Sequence, residues 1–169
     1  MRKQVFSLLV NNNAGLLSRV AGLFSRRGYN IDSITSGTTM NKSVTRITVV
    51  ASGDEQILSQ IKKQVAKLED VIDIKVLEDG KSVCRELIMV KVKANASQRA
   101  EVIAVADIFR AKIVDVEPES MMLEMTGTQS KVEAFLDLLS AYGILELART
   151  GITGLSRGAQ DIKFFDDLD

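Results

Sequence analysis

Histidine is absent from this 169-residue sequence, which removes the commonest general base and the commonest protein metal ligand together. A single cysteine, Cys84, cannot close an intrachain disulfide, and without histidine beside it a zinc or nickel site is not expected. Tryptophan is also missing and aromatic residues make up only 5%, too few for the stacking platforms that bind single-stranded nucleic acid. Charge of one sign is lacking as well: Lys plus Arg and Asp plus Glu stand at 22 each, so there is no net basic footprint for nucleic acid or an anionic membrane. No stretch reads as a signal-peptide core or a membrane span. Cytoplasmic residence is therefore the expectation, with no nucleic-acid partner and no membrane. The carboxylates fall mostly at helix-surface and turn positions, which argues against a carboxylate-only metal site or acid–base pair. The chain is expected to have no catalytic residues and no metal site.

Against these absences stands a 46% hydrophobic content, enough for a globular core. The length suits one ordinary domain or two small ones of about 80 residues each. The most informative stretch runs from Val10 to Ile31, V-N-N-N-A-G-L-L-S-R-V-A-G-L-F-S-R-R-G-Y-N-I. The apolar run Val5–Val10 stops at three asparagines and a glycine, and a helical pattern starts at Leu16. Such a loop delivers backbone N–H groups to a helix N-terminus, where a small anion can be held. Gly15 lets a carboxylate approach the backbone closely. A small acid or amino acid is the implied ligand.

Leu16, Val20 and Leu23 or Phe24 recur at helical steps as far as Arg27, and Gly28 stands where a C-terminal cap glycine belongs. Tyr29 to Ser36 reads as a strand, Gly37 to Lys42 as a turn, and Ser43 to Ala51 as a strand alternating Thr45, Ile47, Val49 against Arg46, Thr48. Gly53-Asp54 starts a helix with Ile57, Ile61, Val65 and Leu68 on one face, followed by a strand over 71–77. The order is β-α-β-β-α-β.

After the polar linker 79–82 the order repeats. A strand over 83–94 precedes a helix over 97–110 with Val102, Val105, Ala106 and Phe109 inward. Strands 113–116 and 121–126 are separated at Glu117-Pro118-Glu119, and Gly127-Thr128 leads a helix carrying Val132, Phe135, Leu136 and Leu139. A last strand spans 144–152. The Gly53-Asp54 and Gly127-Thr128 punctuations occupy equivalent places, which predicts an α+β protein of two ferredoxin-like β-α-β-β-α-β domains, 1–78 and 83–160. Each would cover one sheet face with two helices, leaving the other face and the edges in need of a partner, for which a homodimer is one solution and stacking of the two halves another.

Asn12, Asn13 and Gly15 fit two roles, a helix cap in a tight turn or a ligand loop. Asn30, at the entry to the second strand, favours the latter if that entry faces the loop of a neighbouring copy. Its amide can accept from an α-ammonium while the Gly15 and Leu16 N–H groups donate to an α-carboxylate. Arg26-Arg27 suits the helix C-terminal dipole, Lys91 and Lys93 a solvated strand face, and Met121, Met122 and Met125 core or interface filling. The tail glycines over 151–158 are wrongly spaced for a dinucleotide fingerprint. Asp161 to Asp169, with Phe164-Phe165, reads as a frayed end or a short partner-binding segment.

The run from Asn11 to Ile31 resembles the ACT-domain opening of the small, regulatory subunit of acetolactate synthase. The likeness continues through G-D-E-Q-I-L-S-Q-I-K-K-Q-V-A-K-L at 53–68, R-E-L-I-M-V-K-V at 85–92, I-F-R-A-K-I-V-D-V at 108–116 and A-R-T-G-I-T-G-L-S-R-G at 148–158. The resemblance implies a non-catalytic subunit that activates a separate catalytic (large) subunit and transmits feedback inhibition by a branched-chain amino acid, commonly valine. It implies that the chain binds no cofactor itself, thiamine diphosphate and Mg, with FAD as a further candidate, belonging to the catalytic subunit. It also implies a homodimer with the effector between two ACT domains, held by Asn12, Ala14, Gly15, Leu16 and Leu17 of one chain and Asn30 and Ile31 of the other. The alternative is a stand-alone ACT-type amino-acid-sensing adaptor for another partner; no helix-turn-helix or basic arm accompanies the fold.

Overall fold

A computed structural model describes residues 1–159, which form two compact units: Met1–Val83 with residues 152–159, and Cys84–Gly151. The acidic tail with Phe164-Phe165 lies outside the described residues.

In the first unit, β1 (Arg2–Asn11), α1 (Leu16–Arg26), β2 (Asn30–Thr38), β3 (Val44–Gly53), α2 (Glu55–Val65) and β4 (Val71–Leu77) follow in chain order. The sheet order is β2-β3-β1-β4 and all three pairings are antiparallel, so β1 and β3 are central and β2 and β4 are edges. The strand period of two puts Phe6, Leu8 and Val10 of β1 and Ile47, Val49 and Ala51 of β3 on the helix side. Val20, Phe24, Ile61 and Val65 meet them from α1 and α2. Burying such side chains contributes roughly 1.5–3 kcal/mol each, which is what docks two short helices that are marginal alone.

The second unit repeats the order: β5 (Ser82–Lys93), α3 (Arg99–Phe109), β6 (Lys112–Glu117), β7 (Ser120–Gly127), α4 (Gln129–Ser140) and β8 (Ile144–Arg149), arranged β6-β7-β5-β8. Its core joins Ile88, Val90 and Val92 to Val102, Ala106, Phe135 and Leu139, with Met121 and Met125 buried among them. The expected double β-α-β-β-α-β architecture is present. The two equivalent punctuations are its N-caps: the Asp54 side chain accepts from Ile57 N at 2.8 Å, and Thr128 Oγ1 accepts from Lys131 N at 3.4 Å.

Three expectations are corrected. The final strand does not run unbroken to Ile152: β8 ends at Arg149, Gly151 turns the chain at φ 86°, and a separate β9 (Thr153–Ser156) follows. That tail belongs to the first unit, where Arg157 N donates to Lys81 O at 2.8 Å and Thr35 Oγ1 to Ile152 O at 3.4 Å. Alternation in β3 does not separate buried from exposed, because Thr48 and Val50 on the non-helix face are buried too. In α2 the deepest apolar side chains are Leu58, Ile61 and Val65, with Ile57 partly buried at its flank, and the helix ends before Leu68, which packs partly buried beyond it. Among the described residues no helix is long and apolar enough to cross a membrane.

Candidate functional site

The loop from β1 into α1 is fixed from below by segments distant in sequence. Asn11 N donates to Asp70 O and Asn12 N to Ser43 O, both at 2.8 Å. Asn12 Nδ2 donates to Lys42 O at 3.1 Å, and Asn13 Nδ2 to Asp70 Oδ1 at 2.8 Å. The amide nitrogens of both asparagines are thereby engaged in bracing the loop. The helix-capping role considered for them is not the one they play: the residue at the α1 N-cap is Gly15, with φ 78°, and no side chain caps the helix.

Asp70 is the anchor of this arrangement. Arg19 reaches it with Nε at 2.8 Å and Nη2 at 2.7 Å, while Arg19 Nη1 donates to Ala14 O at 3.2 Å. The Asn13 amide first, and then Arg19, hold the Asp70 carboxyl below its ordinary pKa by bonding its charged form.

The start of α1 consequently offers donors. Leu16 N spends its hydrogen on Asn13 O at 3.3 Å, so it does not serve as a free donor. The N–H groups of Gly15, Leu17 and Ser18 carry no partner among the described residues. They open onto a cavity of about 340 Å³, lined by Asn12, Asn13 and Gly15–Ser18 on one side and by Ser36, Gly37, Thr38 and Thr45 on the other. That is within the usual size of small-ligand pockets, roughly 300–1,000 Å³. The Leu17 side chain is half exposed beside it, whereas Leu16 points into the core. A first-turn helix end with open amides and no competing acidic cap suits a carboxylate.

Of the residues singled out in the sequence, Asn12, Gly15, Leu16 and Leu17 line this cavity, and Ala14 sits in the same turn with its carbonyl taken by Arg19. Asn30 and Ile31 are elsewhere. They start β2, opposite Ser52 and Ala51 of β3, whereas the cavity lies at the far end of β2, where Thr38 faces Thr45. Eight residues at about 3.3 Å each separate the two ends by roughly 27 Å. Asn30 Nδ2 donates to Asp32 Oδ1 at 3.0 Å, Asp32 also accepts from Ser52 Oγ, and Ile31 packs partly against the core. Ser18, Ser36, Gly37 and Thr38 are cavity residues that sequence reasoning missed. Ser18 lies in the first turn of α1, and the local mark of the other three is a run of small residues at the end of β2, which by itself also reads as a weak edge.

No group of three or more Cys, Asp or Glu side chains is placed to hold a metal ion among the described residues.

Comparison with known proteins fits this architecture. The family described as AHAS small subunit-like ACT domain matches residues 6–73, and the family described as small subunit of acetolactate synthase matches residues 85–158. The probable acetolactate synthase small subunit of Methanothermobacter thermautotrophicus is 50% identical, the match covering 92% of this chain and 94% of that one. The acetolactate synthase isozyme 3 small subunit of Salmonella typhimurium is 44% identical over 92% of this chain and 96% of its own. The crystal structure of the acetolactate synthase small subunit from Thermotoga maritima superposes with a TM-score of 0.86 at 38% identity, covering 94% of this chain and 99% of that one. With an ACT-type first unit, a matching second unit and relatives that are similar over nearly their full lengths, the chain belongs to the family of acetolactate synthase small, regulatory subunits.

Proposed function

We propose that this chain activates an acetolactate synthase catalytic subunit and confers on it feedback inhibition by a branched-chain amino acid, valine being the leading candidate. The observation that carries the reading is the uncapped α1 N-terminus with its open amides over a cavity of amino-acid size. The α-carboxylate takes the Leu17 and Ser18 N–H groups. The alkyl side chain lies along the exposed part of Leu17.

The α-ammonium is taken by Asn30 of a second copy. Within one chain Asn30 is at the wrong end of β2, but β2 is an edge with unpaired backbone groups. Antiparallel pairing of two such edges sets each Asn30 end beside the other chain's Thr38 end, and so beside its β1–α1 loop. The homodimer is in this way part of the site. For Asn30 to serve, its amide must leave Asp32. Three charge-assisted hydrogen bonds and one partly buried alkyl group contribute roughly 1.5–3 kcal/mol each, about 6–12 kcal/mol together, against an association cost of about 4 or more, which predicts affinity around millimolar and at best about micromolar.

Valine then acts by favouring one dimer geometry, which the second unit reports to the catalytic partner. A ligand shifts such an equilibrium only through its differential affinity for the two states. Thiamine diphosphate chemistry belongs to that partner, and the chain works where the partner does, in the cytoplasm.

Titration calorimetry with L-valine, L-leucine and L-isoleucine tests the site, with Asn30→Ala and Gly15→Asp as variants. Gly15 has positive φ, which strains any L side chain, and an added Cβ would stand 3.3 Å from Arg19 Nη1, so aspartate there distorts the turn and sets a carboxylate against the Arg19 brace that holds the loop amides in place. Saturable uptake that is lost in both variants, together with retained activation of the catalytic subunit by Gly15→Asp, is the expected result. Retained valine inhibition in Gly15→Asp refutes the site.

A further inference from the structure

Thr45 is a hydroxyl residue on an apolar face. It stands second in β3, paired with Val10 of β1 on one side and with Thr38 of β2 on the other. The strand period of two sets its side chain on the face of Val10, Ile47 and Val49, which are core residues beneath the helices. Only 4% of Thr45 is exposed. Taking a hydroxyl out of water costs free energy unless the protein returns a hydrogen bond, and buried hydroxyls accordingly have partners. Thr39, at the turn after β2, has one in Val44 O at 3.0 Å. The Thr45 side chain has none among the described residues.

Its hydroxyl faces the cavity at the start of α1, which Thr45 lines together with Gly15, Leu17 and Ser18. The Thr48 hydroxyl, also unpartnered, lies on the opposite face and is closed off. The other polar side chains around the cavity, those of Asn12, Asn13, Ser18, Ser36 and Thr38, belong to exposed residues. Thr45 alone among them is buried, so it alone depends on what enters the cavity. No charged side chain lines the cavity among the described residues. An amino acid that sets its carboxylate on the Leu17 and Ser18 amides therefore brings in an ammonium with no carboxylate to meet it. That group has three N–H donors, of which Asn30 of a second copy takes one. A hydroxyl oxygen with free lone pairs can accept another, and a bond from a charged donor is about twice as strong as a neutral one.

We infer that Thr45 is a ligand-binding residue: its hydroxyl oxygen accepts a hydrogen bond from the α-ammonium of the bound amino acid and helps the site prefer amino acids to carboxylates of the same skeleton. The inference rests on the loop cavity being the amino-acid site. Asn30 must come from another chain and leave Asp32 first, whereas Thr45 is in position within a single chain, at the head of the strand that borders the carboxylate end. The unpaired hydroxyl is kept at the edge of the core because the ligand completes it.

The test is calorimetric titration of the full chain with L-valine, L-leucine and L-isoleucine, on wild type, Thr45→Val and Thr45→Ser, with thermal unfolding of each protein free of ligand. Valine keeps the shape of the side chain and its preference for strands, and it removes only the hydroxyl. Thr45→Val is expected to weaken amino-acid binding about tenfold or more, and Thr45→Ser to restore most of it. The ligand-free thermal midpoint of Thr45→Val is expected at or above that of wild type, because no protein hydrogen bond is lost. 3-Methylbutanoate, the valine skeleton without its ammonium, is expected to bind more weakly and alike to wild type and Thr45→Val. Amino-acid binding that is unchanged in Thr45→Val overturns the role of Thr45 and leaves the loop site standing. A loss for 3-methylbutanoate as large as for valine assigns the hydroxyl to the carboxylate and also overturns it, as does a lowered midpoint, which would reveal a structural bond. No saturable uptake of any of the three amino acids by wild type overturns the loop site and this inference together.

Discussion

Glu86 and Arg149 are joined by two hydrogen bonds across β5 and β8, Arg149 Nε to Oε1 at 2.7 Å and Nη2 to Oε2 at 2.9 Å. The Glu86 side chain is only 3% exposed and that of Arg149 40%. Glu86 stands on the same side of β5 as Ile88, Val90 and Val92, so a carboxylate is set at the margin of an apolar core, and its charge is tolerable there only because the guanidinium fork closes on it. The pair links the R-E-L segment to the A-R-T-G segment, 63 residues apart.

The expected consequence is asymmetric. Arg149→Met leaves a buried carboxylate alone, and loss of a partner in a buried pair costs about 3–5 kcal/mol, here nearer the lower figure because Arg149 is partly solvated. Glu86→Leu in the same chain restores most of the loss. Urea unfolding of the single and double variants measures both, and equal stability of Arg149→Met and wild type would contradict the structural role.

Asp70 carries the ligand loop through Asn13 and Arg19, so Asp70→Ala is expected to weaken valine binding about tenfold or more while activation of the catalytic partner persists. The pH dependence has a definite sign. The folded-state pKa of Asp70 is lowered, so its contribution is present above the unfolded carboxylate pKa and is lost as pH falls through the lower folded value. Loop order, followed by backbone NMR of Asn12 to Gly15, should therefore be flat across neutral pH and fail only in acid. Failure near pH 6 would point to another group.

Gly53 and Gly127 end equivalent strands but differ in tolerance. A Cβ on Gly53 would come within 2.8 Å of Ile57 Cγ2 and 3.1 Å of Ile57 Cβ, a stiff, branched side chain on α2. On Gly127 the nearest atom is Lys131 Cδ at 3.0 Å, on a flexible chain that can swing aside. Gly53→Ala is expected to cost about 1–3 kcal/mol by overpacking, and Gly127→Ala much less. Thermal unfolding of the two variants decides it, and equal losses would be contrary evidence.

Arg110 closes α3 in the left-handed region at φ 55°, the one described non-glycine residue with positive φ. Ala111 N then bonds Ala106 O at 2.8 Å. A left-handed conformation costs an L-residue roughly 1–2 kcal/mol, part of which glycine returns in unfolded-state entropy. Arg110→Gly is thus expected to stabilise the second unit by about 0.5–1 kcal/mol, read as a shift of the denaturation midpoint at constant slope.

Sequence by itself determined the element order, the inward faces of most helices and strands, the two N-caps at Asp54 and Thr128, and the turn containing Gly15. All of these follow from periodicity and turn chemistry within a few residues, where the strand period of two and the helix period of 3.6 act locally. For Asn12 and Asn13 it left a helix cap and a ligand loop open; the cap is not formed, because a cap is a local option and the partners of their amides, Lys42 and Asp70, are 30 and 57 residues away. Only the tertiary structure decided that Arg19 and Asp70 brace the loop, that Ser36 to Thr38 line the cavity and that the tail after Gly151 returns to the first unit. It alone put the cavity at the Thr38 end of β2, away from Asn30, and it alone converged Arg46 and Asp73 over Leu9. Each of these depends on strand register and chain return, which are set by burying whole faces at once and leave no periodic trace in the residues concerned.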